Sequence, residues 1–111
     1  MSLSITDPRQ NAIDEIVRTW PDVHAHVVFG HRGYVRAETL FGFLAGAGVA
    51  VKTPPGEEAD ELYARAGVKP FKAKGSVMRA WPVLPLRSDS ELEFALSALR
   101  NSYEDASSRH G

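Results

Sequence analysis

Cysteine is absent from this chain, which excludes disulfides, thiol catalysis and thiolate metal sites together and fits a reducing, cytoplasmic setting. Long apolar runs are missing too. The longest, Leu40 to Val51, falls well short of the roughly 20 residues that cross a bilayer. Met1 to Ile5 has neither the basic patch nor the apolar stretch of a secretory signal before Asp7 and Pro8. A soluble protein with no membrane association is expected. Net charge is nearly missing as well, −1 at pH 7, so attraction to nucleic acid must come from a local patch. Catalytic signatures are lacking in the same way. Gly30-His31-Arg32-Gly33 has no P-loop lysine or hydroxyl, the Gly42 to Gly48 cluster reads as a hairpin bend, and no helical His-Glu-x-x-His pair occurs. Ser76 has no nucleophile elbow around it, and Glu57 with Glu58 stands where a helix start favours acids. No catalytic residue, cofactor or metal ligand set is therefore expected.

What is present is a globular composition, 43% hydrophobic and 24% charged over 111 residues. That length implies one domain, residues 1–111, burying roughly two thirds of its unfolded surface. Asp7-Pro8-Arg9-Gln10 reads as a helix start, with Asp7 as cap and Gln10 placed to reach back. Ile13, Ile16, Val17 and Trp20 then supply an apolar face, with Asp14 and Arg18 paired on the wet side. Pro21 ends the helix.

From Val23 to Phe29, alternation sets Val23, Ala25, Val27 and Phe29 against His24, His26 and Val28, the pattern of a half-buried strand. A turn at Gly30 to Gly33 leads to strands near Tyr34–Arg36, Thr39–Leu44 and Val49–Lys52. Thr53-Pro54-Pro55-Gly56 breaks the sheet, and Glu57-Glu58 opens a second helix with Ala59, Leu62, Tyr63 and Ala66 on one face. A basic loop precedes a strand from Val77 to Val83, where Val77, Arg79, Trp81 and Val83 oppose Met78 and Ala80. Pro82 marks an edge or a bulge. Ser88-Asp89-Ser90-Glu91 is a capping box opening a third helix with Leu92, Ala95, Leu96, Leu99 and Tyr103 along one stripe. Residues 1–6 and 104–111 are expected to be loose ends. The fold class is α+β: two layers, an antiparallel sheet with three helices packed on one side.

The order of these pieces resembles the TfoX N-terminal domain family. The resemblance rests on Val28-Phe29-Gly30, Gly33, Phe41, Val51-Lys52, Glu57-Glu58, Leu62, Gly67, Pro70-Phe71, Met78, Trp81 and Val83-Leu84-Pro85. It departs where the family usually has methionine (Val28), a second glycine (His31) and an Asp-Gly type turn (Ala37-Glu38), all in the first hairpins. The family is related at fold level to the MmcQ/YjbR group and to secretion chaperones, which implies the same helix and strand order. It also implies a role in transcriptional regulation of competence, with no established catalytic residues.

The strongest charge feature is the stretch from Glu61 to Asp89, which has no acid between its ends and carries Arg65, Lys69, Lys72, Lys74, Arg79 and Arg87. Lys69, Lys72, Lys74 and Arg79 form a candidate patch for nucleic acid or another polyanion, with Phe71 and Trp81 as stacking surfaces. A solvated rim is the plainer reading. His24, His26 and His31, with Glu38, offer a metal or acid-base reading, since residues two apart share a strand face. Polar spacers on an amphipathic strand account for them equally well. Phe29, Phe41, Phe43, Phe71 and Trp81 belong either to a core or to an exposed groove. The uncovered face of a two-layer fold is where a homodimer would sit. These readings converge on a non-catalytic regulatory or interaction module working through a protein partner or self-association, with DNA binding through Lys69 to Arg79 as the alternative.

Overall fold

The computed structural model describes residues 7–110, with side chains through Ala106. The order is α1 (Pro8–Val17), β1 (Val23–Val28), β2 (His31–Arg36), β3 (Thr39–Ala45), β4 (Gly48–Val51), α2 (Glu57–Tyr63), β5 (Lys69–Ala73), β6 (Ser76–Leu84) and α3 (Asp89–His110). All strand pairs are antiparallel, in one six-stranded sheet ordered β1-β2-β3-β4-β6-β5. The three helices lie on one side, the expected α+β arrangement. Ile13, Val17, Leu62, Ala95, Leu99 and Tyr103 from the helices close over Tyr34, Phe41, Leu44, Val49, Val51 and Leu84 of the sheet.

Tight turns set the register. Three two-residue connections have positive φ at both central positions: Phe29-Gly30 (52°, 78°), Ala37-Glu38 (49°, 68°) and Lys74-Gly75 (51°, 83°). They join Val28 to His31, Arg36 to Thr39 and Ala73 to Ser76, the type I′ geometry whose twist matches that of the flanking strands. The first turn is thus shorter than expected, and His31 to Gly33 belong to β2. A second device is a bulge in β3. Tyr34 pairs with Gly42 and Val35 with Leu40, leaving Phe41 as the extra residue. Phe41 and Gly42 then both face the helices. A Cβ on Gly42 would lie 2.5 Å from Leu99 Cδ2, so a larger residue there would have to displace that buried side chain.

The helices keep their expected starts but not all of their expected faces. Asp7 Oδ1 accepts from the N–H groups of Arg9 (2.8 Å) and Gln10 (3.1 Å). The Gln10 side chain does not reach back. It donates to the carbonyls of Gly46 and Gly48, both at 2.9 Å, pinning the β3–β4 turn to α1. Ile16 is exposed and Asp14 is buried, because the sheet sits under Gln10, Ile13, Asp14 and Val17 rather than under the purely apolar stripe.

α2 ends at Tyr63, and Ala66 is exposed instead of continuing its face. In the capping box, Ser88 Oγ accepts from the Glu91 N–H at 3.3 Å, whereas the Glu91 carboxylate takes the Arg87 N–H and guanidinium, both at 2.6 Å. α3 runs to His110 with Ala106 fully buried, so its apolar stripe extends past Tyr103 into the stretch expected to fray. Residues 1–6 and Gly111, the rest of that expectation, lie outside the described residues.

The largest correction concerns Lys69 to Ala73, expected as a loop and found as the edge strand β5. Pro70 pairs with Pro82 and Phe71 with Met78, so Arg79, Ala80 and Trp81 are extra on β6. The irregularity turns Met78, Ala80, Trp81 and Val83 to one face, breaking the expected alternation. Pro82 is accommodated beside this bulge, opposite a second proline that also has no N–H to offer.

Candidate interaction groove

On the face away from the helices, Phe43, Ala45, Ala50 and Trp81 form a second buried cluster, flanked by Leu40, Phe71, Met78, Ala80 and Val83, with no helical residue among them. Its aromatic rings show how it is covered. Phe29 lies 5.6 Å and His31 5.8 Å from Phe71, ring centre to ring centre, and Phe43 lies 4.8 Å from Phe71 and 5.1 Å from Trp81. β2 and β5 are four places apart, about 19 Å in a flat sheet. The sheet therefore curls about this face until the β1–β2 tip reaches the far edge. Phe43 and Trp81 are core residues as a result, Phe71 is half-buried, and Phe29 remains 52% exposed, while Phe41 is core on the opposite face, under the helices.

Beside the cluster, a groove of about 1020 Å³ opens between the β3–β4 turn and β5. Ala45, Phe71, Val77 and Val83 give it apolar walls, and its charged lining is Lys69, Lys72 and Arg87 with one acid, Asp7. Val77 is 51% exposed. The groove keeps its shape because the turn on its other side is held on both flanks. Gln10 grips the Gly46 and Gly48 carbonyls, and Gly48 approaches β6 so closely that a Cβ there would lie 2.3 Å from the Leu84 carbonyl oxygen. Val77, Ala45 and Val83 carry no motif that marks them in the sequence. Their signal is an exposed apolar residue on an edge hairpin, which needs the hairpin to be recognised first.

The basic arm is divided by the same geometry. Lys69 and Lys72 share the groove, Lys74 occupies the β5–β6 turn, and the Arg79 guanidinium sits 5.1 Å over the Tyr63 ring beside α2. Arg87 is held by Glu91 and the Ala66 carbonyl, and Arg65 lies 3.6 Å over the Phe94 ring. His24 and His26 share a shallow hollow with Val28, Val35, Glu38 and Leu40. His31 stacks on Phe43 at the other end of β2 and does not join them. Among the described residues, no three metal-binding side chains are grouped for a metal ion.

The titratable cluster lies instead beneath α1. The Tyr34 hydroxyl donates to Asp14 at 2.8 Å, and Arg18 and Arg32 approach the same carboxylate at 3.1 and 3.6 Å. Burial first, then the Asp14 carboxylate, holds the Tyr34 phenol well above its ordinary range. With Tyr34 wholly inaccessible, this network joins helix to sheet and presents no reacting group to solvent. The sequence matches no protein-family model and no curated protein. No described helix is long and apolar enough to cross a membrane.

Proposed function

We propose that this chain is a non-catalytic interaction module that holds a segment of a partner protein in the groove beside Phe71. The observation that carries the reading is an apolar trough with a lysine rim, running from the second cluster around the end of the sheet to the α1 cap at Asp7. Apolar walls supply the free energy of binding, and the excess of cations over the single acid Asp7 selects a segment combining acidic with large apolar residues. Membership of the TfoX N-terminal domain family, a cytoplasmic location and a regulatory role belong to the same proposal. The order of elements and the quoted residues support them.

Selection from a displayed random-peptide library tests the reading. Wild type is expected to enrich acidic-apolar sequences. Phe71→Glu should abolish the enrichment, and Lys69→Glu with Lys72→Glu should remove the acidic preference. Enrichment unchanged in Phe71→Glu would overturn it.

Lys69 and Lys72 flanking Phe71 also favour a second reading, a polyanion tracked along the basic arm with a base on the ring. Arg79 is engaged beside α2, and Arg87, although it lines the groove, is paired with Glu91, which leaves fewer free cations than the sequence offers. A short single-stranded oligonucleotide at about 50 mM salt separates the two readings. Retention that falls steeply with salt and vanishes in the Lys69, Lys72 and Lys74 to Ala variant would replace the partner-protein reading with this one.

A further inference from the structure

The two edges of the sheet are not built alike. β5 carries Lys69, Pro70 and Lys72 and pairs with a bulged β6, the devices that blunt an edge against pairing. β1 carries none of them. Its sequence, Val-His-Ala-His-Val-Val, has no Lys, Arg, Asp, Glu, Gly or Pro. His24, Ala25, His26 and Val27 are all exposed, Val27 by 56%, and among the described residues no strand pairs with its outer side. We infer that β1 is the contact through which two copies of this chain join, antiparallel about a two-fold axis at Ala25.

The register follows from the hairpin. Val28 and His31 close a two-residue turn, so they exchange the ladder bonds nearest the tip. Alternation then gives the inward-bonding role to His26 and His24 and leaves the N–H and C=O groups of Val27, Ala25 and Val23 pointing outward. Residues 23–27 read Val-His-Ala-His-Val, a palindrome about Ala25. Under the two-fold, Ala25 meets Ala25 of the second copy and Val27 meets Val23, which are the residues with free backbone groups. A self-complementary patch of this kind is what a closed two-fold contact requires.

The same register sets His24 opposite His26 of the second copy in a non-hydrogen-bonded pair, where side chains come closest. Glu38, from the β2–β3 turn, is the charged group sharing their hollow, and Val35 and Gly33 lie opposite them on β2. Histidine gains its charge between about pH 8 and 5. Each half of the contact then sets two imidazolium groups against one carboxylate, so the dimer weakens as the pH falls. A five-residue ladder buries less than the roughly 1,000 Å² of a stable interface, which places the dimer in the micromolar range or weaker.

Sedimentation of the full chain from about 10 μM to 1 mM tests this contact independently of the groove. Wild type should dimerise at about pH 8 and at least tenfold more weakly at about pH 5.5. His24→Lys with His26→Lys should be monomeric at both. His24→Glu with His26→Lys should dimerise at both, because this register puts each glutamate opposite a lysine. Both positions are exposed, so circular dichroism should match wild type in each variant. A wild type monomeric throughout, a double-lysine variant that dimerises like wild type, or a Glu/Lys variant no better than double lysine would each overturn the inference.

Discussion

Tyr34 ties the first helix to the sheet through one bond in a place water does not reach. Removing its hydroxyl leaves Asp14 a buried carboxylate short of a donor, so Tyr34→Phe should cost about 1.5–3 kcal/mol in urea denaturation. The pH dependence has a definite sign. Burial and Asp14 hold the phenol protonated in the fold beyond the pH at which an unfolded tyrosine ionises, about 10. The unfolded chain therefore binds fewer protons there. Stability is complete below that pH and declines above it, and Tyr34→Phe should flatten the decline. The adjoining turn makes an opposite case. Ala37 and Glu38 both hold positive φ, the conformation that side chains with a Cβ disfavour. Ala37→Asn with Glu38→Gly should stabilise by about 1 kcal/mol, raising the melting temperature by several degrees.

Strands and helices were legible from their period wherever burial is one-sided. The Asp7 cap, the glycine-marked bend before β4 and the Ser88 cap are each written in a few adjacent residues, whereas β1, a strand as expected, is not half-buried: as an edge strand it exposes Ala25 and Val27 along with His24 and His26. β5 was not legible. Lys69-Pro70-Phe71-Lys72 has the composition of a loop and is strand because Val77 to Val83 lies alongside it, a pairing no local signal announces. The face of Trp81 was hidden for the same reason, since the bulge at Pro70/Phe71 shifts its phase. Asp14 and Ile16 exchanged their expected places because Tyr34, twenty residues along, supplies a donor. Glycine tests the tightest approach between elements. Gly48→Ala would drive a Cβ into the backbone of Leu84, and Gly42→Ala would press on a buried side chain. Gly48→Ala should therefore be the more damaging, beyond the 1–3 kcal/mol or so typical of overpacking expected for Gly42→Ala, as thermal melts can show.

The curl of the sheet gives the protein cores on both faces, although helices cover only one. Phe43→Ala should then cost about 3–5 kcal/mol, as much as Phe41→Ala under the helices, when both are compared by urea denaturation. A much smaller loss at Phe43 would mean that the second face is not closed. The same curl makes the groove, by drawing the β1–β2 tip to Phe71 and leaving Val77 and Val83 beside the pinned β3–β4 turn. Of the four cations marked in the sequence, two reach that groove together. Chain order and period were enough to settle the fold class, the helix caps and most strand boundaries, because those depend on contacts between near neighbours. Which face of Asp14 is wet, whether Lys69 lies in a loop or a strand, and which lysines meet depend on pairing and sheet curvature. Those are set by segments distant in sequence, and they came from the folded arrangement.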